Sequence, residues 1–152
     1  MRWIVALFAA LALLVTAPAA SARDYLAIPD TLDFGTRPVG SENYKGVSVK
    51  NRTQSSINVY VTASLWDDFG FGLMPGSTCP ALEPGTLRAG RSCRAVVRFS
   101  PSEFFAGLKQ TGRLTVTATH PRTGAVLDVE DVRVKGRGAL RPAPAVAAPP
   151  AG

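Results

Sequence analysis

Two cysteines stand at the ends of CPALEPGTLRAGRSC, residues 79–93. A pair of thiols can carry redox chemistry, ligate a metal or form a cross-link, and their surroundings discriminate. A redox pair commonly reads Cys-x-x-Cys at a helix N-terminus, which lowers one thiol pKa. Here thirteen residues intervene and no helical pattern begins nearby. A closed zinc site takes four donors, and His120 is the only histidine. Met74 is the only methionine beyond Met1 and Met/His copper chemistry lacks ligands. No metal or cofactor is expected. In an exported chain with an even cysteine count the expected state is a Cys79–Cys93 disulfide. Closing a loop of this size stabilises by roughly 3 kcal/mol in the chain-entropy model.

Other polar residues suggest chemistry less strongly. His120 precedes Pro121, and a catalytic base there needs a nucleophile and an orienting acid. No G-x-S-x-G context occurs, so His120 reads as a surface turn residue and no catalytic residue is assigned. Asp67-Asp68, with Asp30, Asp33, Glu42, Asp128, Glu130 and Asp131 elsewhere, lacks the dense Asp/Asn/Gly spacing of a calcium loop. Asn51-Arg52-Thr53 meets the glycosylation sequon but sits where a turn is needed. The formal charge of +6 comes from scattered residues: Arg88, Arg91, Arg94 and Arg98 around the second cysteine, then Arg133, Lys135 and Arg137. No run of five like charges occurs and no aromatics interleave, which argues against nucleic acid. A solvated positive sheet face is the plain reading; an anionic cell-wall polymer or lipid headgroup is the functional one.

The elements that position these residues begin with an export signal. Met1-Arg2, the apolar run Ile4–Val15 and Ala20-Ser21-Ala22 form a signal peptide over 1–22, cleaved after Ala22. The run falls short of the roughly 20 residues of a membrane span, and no second hydrophobic segment follows. The mature chain is therefore expected to be secreted or periplasmic and not membrane-spanning. Removing 22 of 152 residues leaves 130, one domain's worth. Residues 139–152, rich in Pro and Ala, read as a disordered tail.

Between them, over 23–138, the pattern is β. Val47 and Val49 alternate with Ser48 and Lys50; Val59, Val61 and Ala63 alternate with Tyr60, Thr62 and Ser64. Ala95, Val97 and Phe99 alternate with Arg94, Val96 and Arg98; Leu114, Val116 and Ala118 alternate with threonines. Period two with one apolar face marks half-buried antiparallel strands. Seven or eight short strands are predicted, near 25–28, 31–35, 44–50, 56–65, 68–73, 93–100, 112–119 and 126–136. Ser102 to Lys109 allows one helical turn. This spacing predicts an all-β, immunoglobulin-like antiparallel β-sandwich with one disulfide, a small barrel being the alternative.

The order of local pieces is informative: Leu32-Asp33-Phe34-Gly35, then Val39-Gly40, Val47 to Asn51, Leu87 to Cys93, Val97 to Pro101, Gly107 and Val134 to Gly138. It resembles the Ig-like domains of the abnormal-spindle/Hydin (ASH) group, in particular the exported bacterial "choice-of-anchor D" members. More distantly it is similar to major sperm protein and pilus-chaperone sandwiches. Two departures stand out, the lengthened turn at Asn51-Arg52-Thr53 and the insertion Trp66-Asp67-Asp68. The resemblance implies a fold and an interaction or scaffold role, without shared catalytic residues.

The expected function is an exported, non-catalytic binding or scaffold module whose partner is a protein or another cell-envelope component, recognised by strand addition at exposed edges with steering by an arginine-rich face. Arg94, Val96 and Arg98 form a candidate contact stripe, because an inward Cys93 and Phe99 turn them outward. Phe104-Phe105, in a loop between strands, either anchors a partner or plugs the sandwich end. An assembly chaperone is the nearest rival, and a small secreted enzyme or metal carrier is a rival of another class.

Overall fold

In the computed structural model, which describes residues 25–64, 70–81 and 83–140, the alternating segments pair into two packed sheets. The strands are β1 (Leu26–Ala27), β2 (Thr31–Pro38), β3 (Asn43–Asn51), β4 (Ile57–Ser64), β5 (Phe71–Leu73), β6 (Gly85–Leu87), β7 (Ser92–Phe99), β8 (Lys109–Thr119) and β9 (Val126–Ala139). The first sheet has the order β1-β3-β7-β5 and the second β2-β9-β8-β4-β6. This is the immunoglobulin-like sandwich that the alternation calls for: inward residues of both sheets meet in one core and outward ones meet water. Fully buried Val47, Val49, Val97, Val59, Val61, Leu114, Val116, Val132 and Val134 form its body.

Three aromatic rings lock the two sheets together. Phe34 of β2 lies 5.4 Å from Phe99 of β7 and 6.1 Å from Phe71 of β5, while Phe71 and Phe99 stack at 4.7 Å. All three are essentially inaccessible to water. Beneath them Gly136 of β9 leaves room for Phe99, since a Cβ there would run into the ring.

Three details depart from the sequence expectation. Among the described residues the first strand, β1, pairs β3 in the first sheet, and the chain then crosses at Pro29-Asp30 to the second, where β2 runs parallel to β9. One ladder is therefore parallel, a pairing that strand periodicity cannot reveal. The sequence places no strand at β6, because Pro84-Gly85 reads as a turn; its pairing with Ile57–Val59 of β4 brings the strands among the described residues to nine. Finally, β8 begins three residues before the predicted start and β9 continues to Ala139, inside the segment assigned to the tail. The N–H of Val39 donates to the Ala139 carbonyl (2.8 Å) and holds that end in place. Residues 1–24 and 141–152, and with them the signal peptide and the rest of the tail, lie outside the described residues, as do Trp66, Asp67, Asp68 and Phe69.

Polar groups finish the seams. Asn51 is fully buried: its amide donates to the carbonyls of Ser55 (2.8 Å) and Leu87 (3.0 Å), and its Oδ1 accepts the N–H and hydroxyl of Thr53. The sequon asparagine thus ties its own turn to β6. At the open seam between β2 and β3, Lys45 donates to the Asp33 carbonyl (2.5 Å) and its ammonium stands 5.8 Å from the Phe34 centroid. The Asp33 carboxyl accepts the Gly35 N–H (2.8 Å) and pairs with Lys135 (3.1 Å), which together hold its pKa below the ordinary carboxylate value. Gly35, at φ +66°, makes the bulge that breaks β2 between Asp33 and Thr36.

Because Gly136 fits against a stacked ring rather than a flexible side chain, Gly136→Ala should lower stability by about 1–3 kcal/mol. Urea denaturation checks this; an unchanged midpoint would show that Phe99 moves aside freely.

Candidate surface on the first sheet

Strand β7 is central in its sheet, between β3 and β5. Its odd residues Cys93, Ala95, Val97 and Phe99 are buried, so Arg94, Val96 and Arg98 face outward. The disulfide Cys79–Cys93 is formed, with the two Cα atoms 4.8 Å apart. It lies behind a loop that continues the ladder after β5 ends. The Met74 N–H donates to the Val96 carbonyl (2.9 Å) and the Thr78 N–H to that of Arg94 (2.8 Å). In return the Val96 N–H donates to Ser77 Oγ (2.9 Å) and the Arg94 N–H to Thr78 Oγ1 (2.8 Å). Hydroxyls therefore replace strand carbonyls along this edge of β7.

On the other side, register sets Tyr44 opposite Arg98, Gly46 opposite Val96 and Ser48 opposite Arg94. A Cβ on Gly46 would fall within the Arg94 guanidinium, so that side chain lies folded across the one bare position of β3. Arg98 pairs with Glu42 at 3.5 Å, and the Tyr44 hydroxyl donates to the same carboxylate at 2.6 Å. Accepting that bond, Glu42 keeps the phenol protonated and raises the Tyr44 pKa above its ordinary value. Tyr44 remains half exposed. The result is a polar-aromatic surface with Val96 at its centre, and the exposed ion pair within it contributes little stability of its own.

The stripe Arg94, Val96 and Arg98 is thus assembled on one face; the structure adds Tyr44 and Gly46, which cross-strand register alone could have disclosed, and Glu42 just before β3. Phe104 and Phe105 are elsewhere, on a 3-10 turn (Glu103–Phe105) in the β7–β8 connection. Phe105 is partly buried, but Phe104 is 93% exposed and plugs nothing. His120 Nδ1 accepts the N–H groups of Arg122 and Thr123, both at 3.3 Å, within its own turn. The carboxylates serve separate sites: Asp128 accepts the Tyr25 and Leu26 N–H groups, and Asp131 takes Arg113 and the Thr115 hydroxyl. Among the described residues no three His, Cys, Asp or Glu side chains gather as a metal site.

No family model matches the chain, and no curated protein matches it by sequence. Solved structures do. The ASH/PapD-like domain 7 of human CEP192 aligns over 93% of this chain and 99% of its own, with TM-score 0.59 and 13% identity. The likeness is one of fold. The Vibrio cholerae VesB protease matches at TM-score 0.55 and 14% identity over 75% of this chain, which spans 32% of the VesB chain. The E. coli chaperone DraB matches at TM-score 0.52 and 13% identity over 74% of this chain and 55% of its own. An ASH/PapD-like sandwich is therefore the architecture.

With the bridge closing a loop of about 15 residues, the double substitution Cys79→Ser/Cys93→Ser should cost roughly 3 kcal/mol. Guanidinium unfolding checks it, and a loss under 1 kcal/mol would mean that the hydroxyl-to-backbone bonds suffice without the bridge.

Proposed function

We propose that the chain is an exported, non-catalytic Ig-like binding module of the choice-of-anchor D type, acting on a protein partner in the cell envelope through the outer face of β3 and β7. The observation that carries this is the grouping of Tyr44, Val96, Arg94 and Arg98 on one rigid sheet face. Tyr and Arg are the residue types most enriched where interfaces concentrate their energy. Val96 supplies an apolar centre that a partner would cover.

The outermost strands are short or broken: β1, β5 and β6 have two, three and three residues, and β2 carries a bulge and ends in Pro38. Such edges discourage added strands. β1 covers only Lys50 and Asn51 of β3, so among the described residues 43–49 keep an unpaired side on which the assembly-chaperone reading would place a client strand. Against the enzyme and metal-carrier readings, the His120 ring nitrogen and the carboxylates described above are held in turns, ion pairs and seams. The proposed route is export by residues 1–22 with cleavage after Ala22.

Affinity capture from envelope extract tests the reading, with wild type compared to Arg94→Glu/Arg98→Glu. Wild type should retain a discrete protein set, and the double variant, equally folded by circular dichroism, should retain at least about 30-fold less, as loss of a hot spot of 2 kcal/mol implies. Equal retention by both would refute this face as the contact surface.

A further inference from the structure

A second basic surface lies on the opposite sheet. Its outward residues are Lys109, Thr111, Arg113 and Thr115 on β8, facing Arg137, Lys135, Arg133 and Asp131 respectively on β9. Two of these four facing pairs, Lys109 with Arg137 and Arg113 with Arg133, set cation directly against cation. Like charges in that position oppose folding. Asp131 answers Arg113 and Asp33 answers Lys135, each at 3.1 Å. Among the described residues Lys109, Arg133 and Arg137 have no carboxylate within ion-pair distance.

The cationic ladder ends at an apolar tip. The Gly107 N–H donates to the Gly138 carbonyl (2.7 Å), and Ala106 bridges Gly138, so the β7–β8 connection is fastened to the end of β9. Around this junction Phe104 is 93% exposed, Leu140 67% and Leu108 58%. Leu108 immediately precedes Lys109, and Leu140 lies three residues beyond Arg137.

We propose that this end of the sandwich docks on an anionic lipid bilayer. Phe104, Leu108 and Leu140 would enter the boundary between headgroups and acyl chains, and Lys109, Arg137 and Arg133 would meet lipid phosphates. The combination selects the occupant: a soluble polyanion satisfies the cations but leaves the apolar tip in water, whereas a bilayer receives both. Facing cations that oppose folding in isolation become complementary to a plane of negative charge. This surface is separate from that of β3 and β7, so Arg94→Glu/Arg98→Glu should bind lipid as wild type does.

The test uses the chain from Arg23, since the apolar run of residues 4–15 would bind lipid by itself; this keeps every strand of the described residues. Flotation with vesicles of 30% phosphatidylglycerol in phosphatidylcholine should carry the protein upward, and pure phosphatidylcholine should carry much less. Lys109→Gln and Arg137→Gln should each weaken partitioning about fivefold, the equivalent of 1 kcal/mol per cation at a charged surface. Phe104→Ser should weaken it at least as much with unchanged circular dichroism. The Phe104→Trp variant should show a blue-shifted emission with anionic vesicles and none with soluble polyphosphate. Three results would overturn the proposal: no flotation, flotation indifferent to Phe104→Ser, or equal binding to polyphosphate without an emission shift.

Discussion

Period-two alternation along β7 is the constraint on which the two sides of the first sheet both depend. A shift of one residue in this strand would send Cys93, Val97 and Phe99 to the surface and Arg94 and Arg98 into the core. The register is fixed at both ends. At one, Cys93 is bonded to Cys79; at the other, Phe99 stacks on Phe71 and packs against Phe34. Between these anchors Ser77 and Thr78 bond the β7 backbone with their hydroxyls. What holds the interior thus also presents the exterior.

Much of this was legible because burial leaves a strong mark on sequence. The alternations around Val47, Val59, Val97 and Leu114 gave strand positions and inward faces, and two cysteines in an export-type chain pointed to one bridge. The stripe Arg94-Val96-Arg98 followed from the inward neighbours alone. Cross-strand relations left no such mark. Nothing local to Tyr44 or Gly46 announces that they flank Arg98 and Val96, and nothing at Arg133 announces Arg113 opposite. β6 was hidden because it is three residues long and begins at a glycine that follows proline. The parallel β2–β9 pair was hidden because alternation is the same in either direction. Phe104 shows a different limit: composition suggests burial of a phenylalanine, and only the turn geometry exposes it.

The two outer faces differ in chemistry. That of β3 and β7 is compact, with an aromatic ring, a valine and two arginines, of which Arg98 pairs with Glu42, and suits a shaped partner. That of β8 and β9 is a ladder of cations running to an apolar tip, which suits an extended charged plane. Placed on opposite sheets, the two would let one small domain hold a partner at a membrane surface. The ASH/PapD-like architecture provides two independent faces of this kind because each strand spends half its side chains on the core and leaves the other half free.

The disulfide is the anchor that keeps the Met74–Cys79 loop laid along β7. Amide hydrogen exchange before and after reduction of the bridge in native buffer measures this directly. The Arg94 and Val96 amides, bonded to Thr78 and Ser77, should be protected with the bridge intact. On reduction they should exchange many-fold faster, while the amides of the β8–β9 ladder keep their protection. Unchanged protection at Arg94 and Val96 after reduction would contradict the account.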